Sequence, residues 1–534
     1  MLEMARSLVV YGSLLVFLRY FLPAIFVKIR GKKPAKILEK NWKKDNVYLY
    51  QIPGTKSMSS VSPFCIKIET FLRLHQIPFE RRDSILNRGE NGKVPFIELN
   101  GEQTADSNLI IPKLVEHFHI QEYKNETDAN IGHAISSMVD FRTFNIFVHY
   151  KTTYSQPIFM KALAAGFVPD KVVELLTPIV GEYLRSEMHR RVNETIGIFT
   201  DDQFNELAKK DLEVYKGLLG DKKYLFGDKM TTADCTLFGH LSATFYLRQD
   251  SFPMRTLSSE KFASLASNCR KMLCSILDGA TFILFIQYVL PFVIRKFRPK
   301  KTVTILEKNW KKDVPPGTKV LPSVSPFCIK VETFLRLHKI PFERRPTLFY
   351  RGINEKFPSI ELNGEHIADS ELMRPFVRFL GVRPLIIYRL LQHFKIKVFS
   401  NSYDESIGHA LTSMVDKRTF NLFLHYKITR TPANFLKAML GTAMPELTPV
   451  IAAIKSSIYH GKIFGLFGEY SDADFDVLVH KDLVAYRDFL GQKKIFLLGD
   501  SPTTLIVHYS VICRPHSSSL RTVRHNVRFC VENS

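Results

Sequence analysis

Ser60-Val61-Ser62-Pro63-Phe64-Cys65-Ile66-Lys67 is the stretch of this chain that predicts its fold most directly. Ser62 is a good N-cap residue, and Pro63 occupies the first helical position, where its missing N–H is not needed. A short extended run at 47–50 precedes this stretch, and apolar side chains then recur at helical spacing. Helix-start amides beside a serine and a cysteine form an anion or thiolate site in outline. An ordinary capped helix is the alternative, and this stretch alone leaves both open.

The sequence contains an internal duplication. The eight residues quoted above return unchanged at 323–330, and the nine residues at 37–45 return at 305–313. Ser-Met-Val-Asp likewise occurs at 137–140 and again at 413–416. A period of about 270 residues is far too long for a solenoid. The chain therefore contains two copies of one module, called copy 1 and copy 2.

Cysteine usage and net charge restrict the classes of function. With 534 residues, the chain is long enough for several domains. Its seven cysteines show no CxxC or other metal-ligand spacing, which predicts free thiols in a reducing compartment and no metal site. Much of the net charge of +22 lies in two runs, 28–44 and 295–312, each directly after a hydrophobic segment. That pattern indicates basic collars beside anionic lipid, and not a nucleic-acid-binding surface.

Two hydrophobic segments predict an association with a membrane. The first begins at Leu8 and ends at Val27, which is long enough to cross a bilayer. Arg19 is costly at mid-membrane, so a tilted or interfacial placement stays open. The basic flank that follows predicts an uncleaved anchor with the modules facing the cytosol, in an organelle that the sequence does not identify. The second segment begins at Phe282 and ends at Ile294, and either spans the membrane or lies on it.

The order of patterns in copy 1 predicts two successive domains. Pro78 and the residues after it indicate a loop, and residues 93–102 indicate a strand with an Asn-Gly hairpin turn. Asp106 and Ser107 cap a further short helix. From about residue 131 the pattern is long, amphipathic and without strand signals. The predicted fold class is α/β plus all-α, with a small mixed domain followed by a helical one.

This ordered set of motifs resembles a known family. A strand, Ser-Pro-Phe-Cys at a helix start, Val-Pro before a hairpin and Asp-Ser at a second helix start resemble a glutathione-transferase-like thioredoxin domain. The helical segment resembles the C-terminal domain of that superfamily. More narrowly, the chain resembles the membrane-anchored failed axon connections group, with its cadmium-responsive members, and is similar to metaxins. The resemblance covers most of residues 37–275 and again about 305–504.

The resemblance implies a division of the chain into seven parts. These are a membrane anchor at 1–30, a thioredoxin-like domain at 37–120, a helical domain at 125–275, a second hydrophobic segment at 280–297, a thioredoxin-like domain without its first strand at 305–380, a truncated helical domain at 400–504 and a divergent tail at 505–534.

The resemblance also implies a glutathione site in copy 1, with glutathione as substrate and no metal. Ser62 matches the hydroxyl that activates the thiol in serine-type transferases, and a hydroxyl at a helix start can donate to a thiolate. Pro95 matches the cis-proline of the fold, which would present the backbone of Val94 to a peptide-like ligand. Asp106 and Ser107 match the acid–serine pair that binds the γ-glutamyl end. Each residue also has a plainer interpretation as a cap or a turn.

Other motifs in copy 1 predict structural roles. Cys65 lies where redox relatives place a resolving cysteine, but with Ser62 at the nucleophile position a buried structural cysteine is the expectation. The stretch 231–234 resembles the buried capping motif of the superfamily's helical domain. Trp42 and Trp310 occupy equivalent places beside the hydrophobic segments, which predicts interfacial anchoring.

Copy 2 departs from copy 1 in its sheet. Only two residues separate Asp313 from Pro316, whereas copy 1 has seven between Asp45 and Pro53, so the strand at 47–50 has no counterpart. A gene model that joins neighbouring genes is an alternative account of the duplicated chain. The second site is therefore doubtful, although it keeps four matching residues. These are Ser325, Pro358, Asp369 and Ser370.

Two functions from different classes follow from these features. The first is a glutathione-transferase-like enzyme at a membrane, acting by glutathione conjugation in detoxification or a stress response. The second is a non-catalytic, membrane-tethered adaptor that uses the same fold for protein contacts, as metaxins are thought to do. The expected partners are membrane lipid, glutathione, and either a second copy of the chain or other proteins.

Overall fold

The computed structural model describes most of copy 1 and the helical part of copy 2. The described ranges are 37–55, 58–84, 86–164, 170–197, 199–245, 252–257 and 264–267 in copy 1, and 326–342, 359–362, 365–368, 386–396, 401–430, 465–468 and 470–490 in copy 2, with a few single residues between them. Both hydrophobic segments, Trp310 and the tail at 505–534 lie outside the described residues. No helix within the described ranges is long and apolar enough to cross a membrane.

Copy 1 begins with a four-stranded mixed sheet in the order β2-β1-β3-β4. The strands are β1 (Val47–Gln51), β2 (Phe79–Asp83), β3 (Phe96–Leu99) and β4 (Glu102–Ala105). β1 pairs with β2 in parallel and with β3 antiparallel, and β3 pairs antiparallel with β4. The predicted first strand and the Asn-Gly hairpin are confirmed. The prediction of a loop after Pro78 is wrong, because the charged residues of β2 form an edge strand along the buried β1.

Helix α1 (Pro63–Leu74) follows β1 and buries one face against the sheet. Ile68, Phe71 and Leu72 are fully buried in a core that also contains residues of β1 and β3. On its other side α1 contacts a helix of the second domain at Gly239, where an added Cβ would lie 2.6 Å from the carbonyl oxygen of Pro63. This close approach fixes the start of α1 against the helical domain.

The rest of copy 1 is helical. The helices are α2 (Ser107–His117), α3 (Glu126–Met138), α4 (Phe144–Thr153), α5 (Gln156–Ala164), α6 (Asp170–Leu176), α7 (Glu182–Thr195), α8 (Asp201–Leu219), α9 (Thr232–Phe245) and α10 (Phe252–Leu257). A π-helical turn, Val139–Thr143, joins α3 to α4, and another, Thr177–Gly181, joins α6 to α7. The predicted succession of a thioredoxin-like sheet and a helical domain is confirmed.

The described part of copy 2 repeats pieces of this arrangement. Its elements are α11 (Pro326–Leu337), β5 (Ser359–Leu362), β6 (Glu365–Ala368), α12 (Ile386–His393), α13 (Ser402–Ser413), α14 (Phe420–Arg430) and α15 (Asp472–Leu490). A π-helical turn, Met414–Thr419, joins α13 to α14, as its counterpart does in copy 1. β5 and β6 form a two-stranded antiparallel hairpin.

The helical domains of the two copies share one hydrophobic core, to which α3 and α8 of copy 1 and α13 and α15 of copy 2 all contribute. Polar contacts cross the boundary reciprocally. His133 Nε2 lies 2.8 Å from Asp482 of copy 2, and His409 Nε2 of copy 2 lies 3.6 Å from Asp211. The same histidine thus faces the same aspartate of the other copy in both directions, which is the pattern of an isologous dimer within one chain.

Candidate functional site

Ser62 lies at the start of α1, as predicted, but its side chain does not cap the helix. Its backbone is extended, with φ −88° and ψ 121°, and its side chain makes no capping hydrogen bond. The neighbouring Ser60 hydroxyl instead accepts from the Ser62 amide at 3.2 Å. The Ser62 hydroxyl interacts with the thiol of Cys65, whose pKa is raised by its burial despite this contact. Cys65 is therefore a buried thiol, and Ser62 keeps its hydroxyl at a helix start without a capping role.

The peptide bond between Val94 and Pro95 is cis, as the resemblance implied. It lies directly before β3, and the carbonyl of Pro95 accepts from the amide of Asp106 at 3.1 Å. This hydrogen bond joins the cis-proline to the start of α2. Outside the regular helices and strands, none of the described residues forms a backbone hydrogen bond with Val94. The predicted binding role of Val94 and Pro95 stays a prediction.

Asp106 and Ser107 form the start of α2. Asp106 has a φ of +76°, a left-handed conformation that is costly for a residue with a side chain and that concentrates at functional sites. Its Oδ1 accepts from both the amide and the Nδ2 of Asn108, at 2.9 and 3.1 Å. Ser107 is 1% exposed, and its Oγ has no hydrogen-bond partner among the described residues. A buried hydroxyl without a protein partner can form a hydrogen bond with a ligand or a water.

Two basic side chains that the sequence analysis missed lie close enough to interact electrostatically with Asp106. Lys93 has its pKa lowered to about 8, first by burial and then by the positive charge of Arg191. Burial also lowers the pKa of Arg191, whose guanidinium lies over the ring of Phe144 at 5.4 Å. The buried Nε of Arg191 has no hydrogen-bond partner in the described part of the chain. The cluster thus combines one carboxylate, two cations and an unpaired serine hydroxyl.

The repeated motifs of the sequence place a second buried cluster at the domain boundary. Lys67 Nζ donates to Asp140 Oδ2 at 2.7 Å, and His240 Nε2 lies 3.0 Å from Asp140 Oδ1. All three side chains are buried, so the cluster holds α1 against the helical domain. Lys330 and Asp416 form the matching pair in copy 2 at 2.8 Å. The signal was present in the sequence, because Lys67 and Asp140 each end a stretch that is repeated unchanged.

Two other predicted motifs have structural contacts in copy 1. Asp234 accepts from the amide and the hydroxyl of Thr231 at 3.0 and 2.9 Å, and from the amide of Leu225 at 2.9 Å. Burial raises the pKa of Asp234 to about 6. The predicted capping motif is therefore confirmed. The Trp42 ring is 43% exposed and lies against Gly101 of the hairpin turn, and its membrane role stays a prediction.

The doubtful second site lies outside the described residues. Ser325 is outside them, and the described part of copy 2 begins at the next residue, Pro326. Pro358, Asp369 and Ser370 also lie outside the described residues. In copy 1 the structure brings together the neighbourhood of the cis-proline and the start of α2, and it adds Lys93 and Arg191. Ser62 lies at the start of α1, the helix that follows β1.

The fold is that of glutathione S-transferases, with a thioredoxin-like sheet followed by a helical C-terminal domain. The family described as the glutathione S-transferase N-terminal domain matches the chain twice, at 63–156 and 326–434, which supports the duplication. The glutathione S-transferase C-terminal domain family matches residues 208–272.

Two named proteins are distantly similar to the chain. Failed axon connections of Drosophila melanogaster is 30% identical over 244 residues, which cover 43% of this chain and 58% of that protein, less than two thirds of its length. A Metaxin-2 homolog of Caenorhabditis elegans is 26% identical over 191 residues, covering 34% of this chain and 81% of that protein.

Among solved structures, a glutathione transferase of Phanerochaete chrysosporium matches with a TM-score of 0.30 and 15% identity, covering 44% of this chain and 98% of that one. A glutathione S-transferase of Ceriporiopsis subvermispora, solved in complex with glutathione, matches with a TM-score of 0.30 and 16% identity, covering 44% of this chain and 99% of that one.

Proposed function

We propose that copy 1 binds glutathione at the cluster around Asp106. Glutathione carries a carboxylate at each end and an ammonium group beside one of them. Asp106 supplies a counter-charge for the ammonium, and Lys93 and Arg191 supply counter-charges for carboxylates. The observation that carries the proposal is the buried Ser107 hydroxyl at the start of α2, which has no partner among the described residues and lies beside a strained Asp106.

The proposed reaction is glutathione conjugation, with Ser62 as the residue that activates the thiol. The Ser62 hydroxyl does not cap α1, and it would exchange its contact with the buried Cys65 thiol for donation to the ligand's thiolate at the helix start. The positive end of the helix dipole favours the same charge. Both effects lower the pKa of the bound thiol, so that more of it is a nucleophile at neutral pH. Detoxification or a stress response is the biological setting that this activity would serve.

The test measures glutathione binding by calorimetry and the pKa of the bound thiol by ultraviolet absorbance, on the full chain. In Ser62→Ala the thiol loses a hydrogen bond worth about 1.5–3 kcal/mol, so its pKa rises by about one to two units. Conjugation of a generic electrophile at neutral pH then falls about ten- to a hundredfold. Asp106→Ala instead weakens binding with little change in the bound thiol's pKa. Ser59→Ala, three residues earlier, is the control and changes neither quantity.

A non-catalytic adaptor is the second candidate. The observation that favours it is the core shared by the two helical domains, which gives copy 2 a structural role that needs no site of its own. The similarity to a Metaxin-2 homolog points the same way. Wild-type protein that binds no glutathione and leaves its thiol pKa unshifted would exclude the enzyme and leave the adaptor.

We also propose that the segment from Leu8 onward tethers the modules to a membrane with copy 1 on the cytosolic side. Asn125 and Asn193 lie in glycosylation sequons. On the cytosolic side neither would be glycosylated in cells, and a mass shift after glycosidase treatment would show the opposite orientation. Asn125 is in any case engaged as the N-cap of α3.

A further inference from the structure

The surface on which the two helical domains meet has a symmetric centre and an asymmetric edge. This pairing surface is formed by α3 and α8 in copy 1 and by α13 and α15 in copy 2. Asn125 and Asn401 cap α3 and α13, so the positions of these two helices correspond, and Asp211 and Asp482 align α8 with α15 in the same way. The histidine–aspartate contacts at the centre occur in both directions, but the residues around them differ between the copies.

An ion pair at the edge of the pairing surface occurs in one direction. Lys210 Nζ of copy 1 lies 3.1 Å from Glu405 Oε1 of copy 2, and the exposed fractions of the two side chains are 7% and 16%. The residue of α3 that matches Glu405 is Ala129, whereas the residue of α15 that matches Lys210 is again a lysine, Lys481. Copy 1 therefore has the lysine of this contact without the glutamate, and copy 2 has both.

Two further contacts between the copies depend on residues that copy 1 lacks. The Lys222 ammonium lies 5.0 Å from the centre of the Tyr403 ring, and Thr127 occupies the matching position of copy 1. Asn130 Nδ2 of copy 1 donates to Asp488 Oδ2 of copy 2 at 3.1 Å. Each contact joins a residue of copy 1 to a side chain that is specific to copy 2.

Gly217 is the residue of copy 1 that matches Asp488, and it lies against Ser406 of copy 2. An added Cβ at Gly217 would lie 2.6 Å from Ser406 Oγ. Ser406 in turn matches Asn130, so the hydrogen-bonded pair of one direction is replaced in the other by a glycine against a small serine. The two directions therefore differ in both side-chain size and hydrogen bonding.

A pair of two copy 1 surfaces would lose all three contacts. Lys210 would face Ala129 on both sides, and burying a lysine without a carboxylate partner is costly. Lys222 would face a threonine, and Asn130 would face a glycine that has no side-chain acceptor. A surface discriminates between partners when groups that one partner satisfies are left unpaired by the other.

We propose that the pairing surface of copy 1 is selective: it accepts a face with the tyrosine, glutamate and aspartate of copy 2 and rejects a second copy of itself. Copy 2 is the partner that this surface fits, and the duplication supplies it in the same chain. The discrimination lies in copy 1, since copy 2 carries both Lys481 and Glu405. The inference does not depend on glutathione binding.

Two matched variants of the full chain test this selectivity. Tyr403→Thr/Glu405→Ala gives α13 the residues of copy 1, and Thr127→Tyr/Ala129→Glu gives α3 the residues of copy 2. Hydrogen exchange followed by mass spectrometry measures opening of the pairing surface through the amides of α3 and α13. The amides of β1 and β3 show in the same experiment whether the sheet of copy 1 remains folded.

The two variants have different expected results. In Tyr403→Thr/Glu405→Ala, loss of the ion pair and of the cation–π contact makes exchange in α3 and α13 about tenfold faster, while exchange in β1 and β3 is unchanged. Thr127→Tyr/Ala129→Glu exchanges no faster than wild type, because Lys481 is present on α15 to pair with the introduced carboxylate.

A third variant separates pairing from a local effect on α13. Lys210→Met removes the lysine from the other side of the ion pair, and in that background Glu405→Ala has little further effect on exchange. A large further effect would mean that Glu405 acts within its own helix, and it would overturn the proposal. Wild-type exchange in Tyr403→Thr/Glu405→Ala overturns it as well. So does exchange in Thr127→Tyr/Ala129→Glu that rises as much as in the first variant, since the surface would then show no preference.

Discussion

The helical domains of the two copies carry the same buried polar network. In copy 1 an aspartate of α8 accepts from an arginine and a threonine of the π-helical turn, and copy 2 repeats this with α15 and its own turn. The four residues are Arg142, Thr143, Asp211 and Tyr215 in copy 1, and Arg418, Thr419, Asp482 and Tyr486 in copy 2. The thioredoxin-like domains differ, with four strands in copy 1 and a two-stranded hairpin in the described part of copy 2.

The helical domain of copy 2 has a structural role that does not depend on a site of its own, because it contributes to the core of copy 1 and brings Arg418 to Asn108. The sequence of copy 2 lacks a counterpart of β1, so we expect backbone donors and acceptors of the neighbouring strands to lack their partners there. The two parts of copy 2 are therefore expected to differ in stability.

The largest expected effect comes from removing the aspartate at the centre of either network. Asp482 is fully buried and accepts from Arg418 at 2.9 Å and from His133 of copy 1 at 2.8 Å. In Asp482→Ala the Arg418 guanidinium loses its buried counter-charge and His133 loses a hydrogen-bond acceptor, and the free energy of unfolding falls by about 3–5 kcal/mol. Urea denaturation of the full chain, followed by circular dichroism, measures this change.

The matched variant in copy 1 makes the comparison sharper. Asp211 accepts from Arg142 at 2.8 Å, but His409 of copy 2 lies 3.6 Å away, beyond hydrogen-bond distance. Asp211→Ala therefore costs less than Asp482→Ala, because it breaks one fewer hydrogen bond between the copies. The exposed Asp221 provides a control whose change to alanine is nearly neutral. A larger cost for Asp211→Ala would mean that the 3.6 Å contact matters more than the 2.8 Å one.

The contact between the copies also predicts a loss of stability in acid. The pKa of His133 is lowered to about 3, first by burial and then by the positive charge of Lys481. The hydrogen bond to Asp482 raises this pKa, and the positive charge of Arg418 lowers it further. Between about pH 6.5 and pH 3 the unfolded chain binds a proton that the folded chain does not. The free energy of unfolding therefore falls as the pH falls through this window, by up to about 1.4 kcal/mol per pH unit.

Denaturation midpoints at pH 7, 6 and 5 measure this slope. His133→Gln keeps a donor near Asp482 but removes the titrating group, so its stability falls less steeply between pH 7 and pH 5 than that of wild type. His480→Gln is the control, since His480 is exposed on the same helix as Asp482. Parallel slopes for wild type and His133→Gln would show that His133 is not the group responsible.

Local signals predicted much of copy 1. Proline at the first position of α1, the Asn-Gly turn between β3 and β4 and the Asp106 cap of α2 depend on a few adjacent residues, so the sequence alone indicates them. Strand β2 was missed because four of its five residues are charged. It is a strand because it pairs with β1, and that contact has no local signature.

The candidate site was predicted only in part for the same reason. Asp106 and Ser107 are adjacent, and Pro95 follows a motif, so all three could be found by position along the chain. Arg191 comes from α7, and only tertiary packing brings it within electrostatic range of Asp106.

The smallest expected effect concerns helix caps and tests whether the two helical domains are equally well formed. Asn125 accepts from the amide of Asp128 at 2.8 Å, and Asn401 of copy 2 accepts from the amide of Asp404 at 2.8 Å. Alanine at either asparagine costs about 1 kcal/mol in the free energy of unfolding, because each change removes one capping hydrogen bond. Ser62→Ala costs less than either, since the Ser62 side chain makes no capping bond. Urea denaturation of the three variants measures the difference. A cost for Asn125→Ala with none for Asn401→Ala would mean that the start of the copy 2 helix is frayed in solution, and the equivalence of the two helical domains would then be lost.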